Sequence, residues 1–249
     1  FNIQEMSGRI KALMDQVVRD KEIQQQNQYQ LLEFRYHELQ SQVNPHFLYN
    51  ALNTISCVCR ENPDRARELI LTLSSYYRQA LENDQYMLSL HTELYHVASY
   101  LELEQARFEE KLVVELDVED DLNCKVPSFI LQPLVENAVR HGGDRTGARH
   151  VSISAHSVEG MAEIAVADRG QGIPREVVLG LYTGQGKGVG LSNVHKRLKS
   201  IYGEDNGLKI ETSEAGSRVW FRIPLEPEEI PGPIHETKQE ESYNEDSCD

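Results

Sequence analysis

The sequence predicts a helical front half followed by an α/β sandwich, and three observations carry that expectation. Up to residue 108, apolar side chains recur at steps of three and four, the period of a helix with one buried face. Beyond Lys111, short runs rich in β-branched residues alternate with helical stretches. The last two such runs, Leu208 to Thr212 and Arg218 to Ile223, are close enough to form a hairpin.

Residues 1–45 read as a helix with heptad character. Ile3, Met6, Ile10, Leu13 and Val17 share one stripe, and the same register reaches Leu31 and Phe34. Asp20, Gln24 and Asn27 interrupt the seam, and after Phe34 the apolar set shifts to Leu39 and Val43. The pattern favours a dimeric coiled coil over a polar surface helix. Pro45 kinks or interrupts it, because proline lacks the amide donor a continuing helix needs. Phe47, Leu48, Leu52 and Ile55 then carry the helix on to about Arg60.

Asn62 followed by Pro63 is a stop and restart: a capping side chain, then proline at the first helical position. The next helix places Leu69, Leu73, Tyr76, Tyr77 and Leu81 on one broad face. Ser89 is a further cap, and Leu94, Val97, Leu101 and Phe108 follow at helical spacing. A helical hairpin with faces this wide cannot cover them alone, so a dimer completing a four-helix bundle is expected. Strands are expected at Leu112–Val118, Val151–Ser154, Ala162–Ala167, Leu208–Thr212 and Arg218–Ile223, with helices over about 127–141 and 189–201. Pro224, Pro227, Pro231 and Pro233 close the fold, and the charged remainder reads as disordered.

Net charge is −15, and residues 226–249 hold nine acids against one lysine. Nucleic-acid binding requires clustered Lys and Arg to displace counterions, and an acidic chain without such a cluster speaks against it. Cys57, Cys59, Cys124 and Cys248 form neither a CxxC pair nor a zinc spacing, which favours a reduced, cytoplasmic setting. Cys57 and Cys59 are expected as ordinary packing residues on different faces of their helix. No run approaches the ~20 apolar residues that cross a bilayer, and the chain begins with Phe1, so a soluble piece of a longer protein is expected.

Four motifs carry chemistry. The first is QVNPHFLYN, in which the imidazole of His46 can attack phosphorus and Asn50 shares its face four residues on, placed to orient a water for the reverse reaction. The second is LVENAVRHG: its apolar positions pack a helix, while Glu136, Asn137, Arg140 and His141 break the pattern on another face. An Asn amide oxygen suits magnesium, and Arg and His suit phosphate. The third, DRGQGIP, ends a strand at Asp168, whose carboxylate can accept from an exocyclic amine, with Gly170 and Gly172 allowing close backbone approach. The fourth, GQGKGVGLSNV, leads Gly186, Lys187, Gly188, Gly190 and Leu191 into a helix, an anion-binding arrangement of amides and helix dipole. It follows no strand and lacks Ser or Thr after GK, so it is neither a dinucleotide fingerprint nor a P-loop.

Together and in this order, QVNPHFLYNALNTI, LVENAVRHG, DRGQGIP and GKGVGLSNVHKRL resemble the phosphoacceptor, N, G1 and G2 boxes of LytS/YesM-like sensor histidine kinases of two-component systems. HTELYHVASYLELEQARF is similar to the segment joining the two parts in that group. The likeness covers about residues 36–224, and FNIQEMSGRI resembles the end of a HAMP module. The resemblance implies a GHKL ATP-binding domain of the Bergerat fold. It divides the chain into a signalling coiled coil (1–35), a dimerisation and histidine-phosphotransfer domain (36–108), a catalytic domain (109–225) and an acidic tail (226–249).

It also implies ATP and Mg²⁺ as cofactors, a homodimer, a membrane-anchored parent, and a response-regulator partner that in this group can carry a LytTR-type DNA-binding domain. Residue by residue, His46 would accept the γ-phosphoryl group, Asn137 would ligate Mg²⁺, Asp168 would bind the adenine amine, and Gly170 and Gly172 would make room for the base. The loop with Gly186, Lys187, Gly188, Gly190 and Leu191 would wrap the phosphates and anchor a lid over about 175–187. Two departures stand out. Phe47 occupies the position where other groups place an acidic base, leaving Glu136 as the nearest alternative, and Arg169 replaces a frequent Asn. A Bergerat ATPase without phosphotransfer and an idle scaffold are the rival readings.

Overall fold

The computed structural model describes residues 44–82, 85–183 and 189–225. The expected leading helix up to residue 43, the acidic tail, and Gly186, Lys187 and Gly188 lie outside them.

Helix α1 (Pro45–Glu61) begins where proline costs nothing, at its first position, and Asn44 caps it by accepting from the Phe47 amide. Helix α2 (Pro63–Glu82) repeats the device, with Asn62 accepting from the Arg65 amide. Helix α3 (Leu90–Phe108) is capped by Ser89. The three helices bury Phe47, Ala51, Ile55, Leu69, Leu73, Tyr76, Val97 and Leu101 in one core. Leu81, on the face expected to need a partner, is exposed, and Ala80 is buried one residue earlier. One expectation fails here. Cys57 and Cys59 are both exposed, since the buried stripe of α1 runs through Phe47, Ala51 and Ile55.

The α/β part is a five-stranded sheet in the order β2-β4-β5-β7-β6, formed by Leu112–Val118 (β2), Arg149–Val158 (β4), Met161–Asp168 (β5), Lys209–Ser213 (β6) and Gly216–Pro224 (β7). Only β2 and β4 run parallel. The β4–β5 turn is two residues long, and Glu159 and Gly160 both take positive φ, the primed turn whose twist suits a hairpin. Alternation sets the two faces of the sheet. Ile153, Ala155, Ile164, Val166, Phe221 and Ile223 pack inward. On the outer face Glu163 pairs with Arg218 (2.7 Å) and Arg222 (2.8 Å), and both guanidinium groups lie over Trp220.

Helices α4 (Gln132–His141) and α6 (Val189–Tyr202) cover the inner face through Leu134, Val135, Ala138, Val139, Leu191, Val194 and Leu198. The helix expected from about residue 127 starts only at Gln132. Lys125–Pro127 is instead a strand, β3, pairing antiparallel with β1 (Met87–Ser89). This ribbon joins the segment before α3 to the segment before α4, so it crosses the boundary expected at 108/109. The expected lid is partly regular, since Arg175–Thr183 forms helix α5. No helix among the described residues is long and apolar enough to cross a membrane.

Candidate functional site

Between the helical part and the sheet lies a cleft of about 1010 Å³. His46 and Asn50 reach it from α1; Tyr100, Glu104, Arg107 and Phe108 from α3; Glu136, Asn137, Arg140 and His141 from α4; Gly172 from the loop after β5; and Gly190 and Leu191 from the start of α6. Residues far apart in the chain thus share one wall-to-wall space.

The His46 ring stands on the first turn of α1, exposed, with the Asn50 amide 3.3 Å from Nδ1 and 3.4 Å from Nε2. One turn of helix sets this pairing. Its neighbour Phe47 is 4 % exposed, with its ring centroid 5.1 Å from that of Tyr76 and 5.0 Å from that of Tyr100. The side chain after the histidine is therefore a core anchor for α1.

Helix α4 enters without a side-chain cap of its own. The amides ahead of it are satisfied from outside: Glu93 of α3, fully buried, accepts from the Phe129 and Leu131 amides at 2.9 Å each. A carboxylate at a helix N-terminus also meets the positive end of its dipole. Burial nevertheless pushes the Glu93 carboxyl up to about 7, against the pull of those amides and of Arg197. Arg197 of α6 donates to the Ser128 carbonyl at 2.7 Å, so α3, α4 and α6 are locked together.

On α4, Gln132 binds both the Tyr76 hydroxyl of α2 and, at 2.9 Å, Glu136. Burial raises the Glu136 carboxyl, opposed by that hydrogen bond and by Arg140. Asn137 is half-buried on the cleft wall, and its side chain engages no other described residue. Its oxygen is thus available to a hard cation, which takes oxygen ligands and keeps phosphate and water as further partners. Arg140 and His141 are exposed beside it.

The loop after β5 is held by its own atoms. Asp168 accepts from the Gly170 amide at 2.8 Å; burial raises its carboxyl, while Gly170, Ser217 and His141 pull it down. Asp168 lines a separate small cavity of about 60 Å³ with Glu115, His150 and Arg169. A Cβ on Gly170 would sit 2.5 Å from the His141 carbonyl oxygen, and one on Gly172, at φ +78°, would sit 2.1 Å from that of Ser213. A side chain at either position would therefore strike the chain's own backbone.

Glu104, Arg107 and Arg149 also line the cleft and were absent from the residues singled out in the sequence. Glu104 had a signal: it falls at the helical step between Val97, Leu101 and Phe108, an acid on an apolar face. Arg107 binds Glu104 at 3.4 Å, and Arg107 and Arg149 both lie over the Phe108 ring, at 4.7 and 4.1 Å. Arg149 additionally donates to the Val139 and Gly147 carbonyls, which no spacing rule reveals.

A family model described as "Histidine kinase" matches residues 34–112, and one described as "Histidine kinase-, DNA gyrase B-, and HSP90-like ATPase" matches residues 127–227. Sensor histidine kinase YpdA of Escherichia coli (strain K12) is 45% identical over 190 residues, covering 75% of this chain and 33% of its own. Sensor protein LytS of Bacillus cereus is 42% identical over 195 residues, covering 75% and 33%, and LytS of Enterococcus faecalis is 39% identical over 214 residues, covering 82% and 36%. The chain spans about a third of the length of these curated relatives.

Proposed function

Because the chain belongs to the LytS-like family of sensor histidine kinases, with an ATP-binding domain of the histidine kinase and gyrase type, we propose that it is the autophosphorylating core of such a kinase. In this reading His46 takes the γ-phosphoryl group of ATP and passes it to an aspartate of a response regulator. The observation that carries it is the shared cleft, in which His46 of α1 faces the residues of α4, the β5 loop and α6.

Phosphoryl transfer proceeds through a loose transition state, so catalysis is chiefly positioning and neutralisation of charge. Asn137 is the residue whose free amide fits Mg²⁺; the ion, when bound, neutralises triphosphate charge. Arg140 and His141 meet phosphate oxygens. The amides of Gly190 and Leu191 at the start of α6 add a helix N-terminus to the same charge, together with Gly186, Lys187 and Gly188 of the preceding loop. Asp168 receives the adenine amine, and Gly170 and Gly172 give its loop the tight backbone that holds that carboxylate in place. Asn50 holds the His46 ring and, in the reverse direction, a water. Glu136 is a half-buried carboxylate beside the cation ligand and orients water there.

The same reading makes the protein a homodimer. Tyr49, Leu52, Ile70, Leu71 and Leu81 remain exposed on α1 and α2, apolar surface of the kind a four-helix bundle would cover. Residues 1–35 then form the coiled coil that delivers the signal from a membrane-anchored parent. Residues 36–108 are the phosphotransfer domain and 109–225 the catalytic one. The response regulator belongs to a group in which a LytTR-type DNA-binding domain can occur.

Radiolabel from γ-labelled ATP is expected on the chain, acid-labile and base-stable, and absent from His46→Gln. Asn137→Ala is expected to abolish labelling with the fold intact. Label persisting in His46→Gln would overturn the acceptor assignment, and normal labelling of Asn137→Ala would overturn the cation role.

A further inference from the structure

Phe47 leaves an open question: no acid adjoins His46 on its own helix to receive the proton that phosphorylation displaces. We propose that Glu104 of α3 is the proton acceptor for His46, an assignment that rests on the kinase reading above. Four observations converge on it. Glu104 lies on the wall of the same cleft as His46, yet its residue is only 5% exposed. A carboxylate held at a core position is costly and calls for a use. It is paired on one side only, with Arg107 at 3.4 Å, which favours its charged form without covering it. The other carboxylate of the cleft withdrawn from solvent, the half-buried Glu136, is already bound at 2.9 Å by Gln132.

The groups facing Glu104 are Arg107, Glu136, His46, Tyr76 and Tyr100. Burial raises the Glu104 carboxyl first of all, and Glu136 adds to that, while Arg107 and His46 favour its charged form. Tyr76 and Tyr100 are pushed up by burial and stay protonated. An acid raised in this way is a better acceptor near neutral pH than a free surface carboxylate. Contacts of this kind are often longer before substrate binds than in the reacting complex, so the shared cleft rather than a formed hydrogen bond carries the assignment.

The step balances. One ring nitrogen gives its lone pair to the γ-phosphorus, and the bond to the bridging oxygen breaks with its electron pair leaving on ADP. The ring would then be a phosphoimidazolium; its remaining N–H proton passes to the Glu104 carboxylate, giving neutral phosphohistidine and a carboxylic acid that returns the proton to water.

The test is single-turnover labelling of the full chain at saturating MgATP, with ATP affinity measured in parallel. Glu104→Gln, which keeps shape but cannot take the proton, is expected to slow labelling about 100-fold at unchanged ATP affinity. Glu104→Asp is expected to restore much of the rate, and added formate to restore part of it in Glu104→Ala. Wild-type labelling in Glu104→Gln would overturn the proposal, as would a loss that neither Asp nor formate repairs. Failure of the wild-type chain to label at His46 would instead overturn the kinase reading itself.

Discussion

Phe47→Ala separates the structural duty of the residue after His46 from any chemical one. Phe47 is 4 % exposed and stands between two tyrosine rings, in a tilted-to-perpendicular arrangement of 61° with Tyr76 and 41° with Tyr100. Truncating a buried phenylalanine costs about 3–5 kcal/mol through lost transfer energy and the cavity left behind. Part of that reflects the two aromatic contacts, each worth about 0.5–1.5 kcal/mol beyond buried area. For a body of this size such a loss lowers the melting temperature by roughly 6–20 °C. Thermal unfolding followed by circular dichroism measures it, alongside ATP binding and labelling of His46. The expectation is a large drop in melting temperature and slower labelling at unchanged ATP affinity, because the nucleotide contacts proposed above come from α4, the loop after β5 and α6, whereas the rings packed on Phe47 belong to α2 and α3. A drop smaller than about 2 °C would refute the anchoring argument. Phe47→Glu extends the test: the new acid would be driven into the core between the tyrosines, so it is expected to destabilise the hairpin without accelerating labelling.

Two further outcomes follow from the same geometry. The Glu93 carboxyl is raised to about 7 in the folded chain from an ordinary 4.5, so its contribution to stability is full below about pH 4.5 and is lost as pH rises through about 7, on the order of 3 kcal/mol in all. Urea unfolding at pH 5 and pH 8 should show that loss in the wild type and a flatter profile in Glu93→Gln; equal slopes in the two chains would refute it. Since His46 and Asn137 line one cleft of one chain, phosphorylation within a single chain is expected. Co-expressed His46→Gln and Asn137→Ala chains should then give no label, and label on the Asn137→Ala chain would show transfer between chains.

The sequence by itself determined most of the elements and the motifs from which their chemistry is proposed. The Asn62–Pro63 junction set the start of α2, because a side-chain acceptor followed by a residue without an amide donor is a purely local solution to helix entry; Asn44–Pro45, expected as a kink or interruption, proved to be the same device at the start of α1. Alternating β-branched residues set the strands, and the four motifs brought out His46, Asn50, Asn137 and the glycine loops without any knowledge of their neighbours. Where local signals were weak or opposed, the reading slipped. Residues 125–127 are too few to show a period, and only pairing with Met87–Ser89, some forty residues earlier, makes them a strand. Arg175–Thr183 reads as part of a glycine-bounded loop until packing selects a helix.

What only the tertiary structure decided is which chemical groups meet. Glu93 caps a helix start 36 residues away, Gln132 reaches back 56 residues to Tyr76, and Glu104 shares a cleft with His46 from a different helix. Gly170 and Gly172 lie against carbonyls of His141 and Ser213, neighbours that the spacing of the motif does not reveal. The physical reason is that period and capping are properties of neighbours along the chain, whereas the field and hydrogen bonds at a buried group come from whatever the fold brings beside it. The motif proposes His46 as the acceptor; that Glu104 shares its cleft became visible only once α1, α3 and α4 stood around one space.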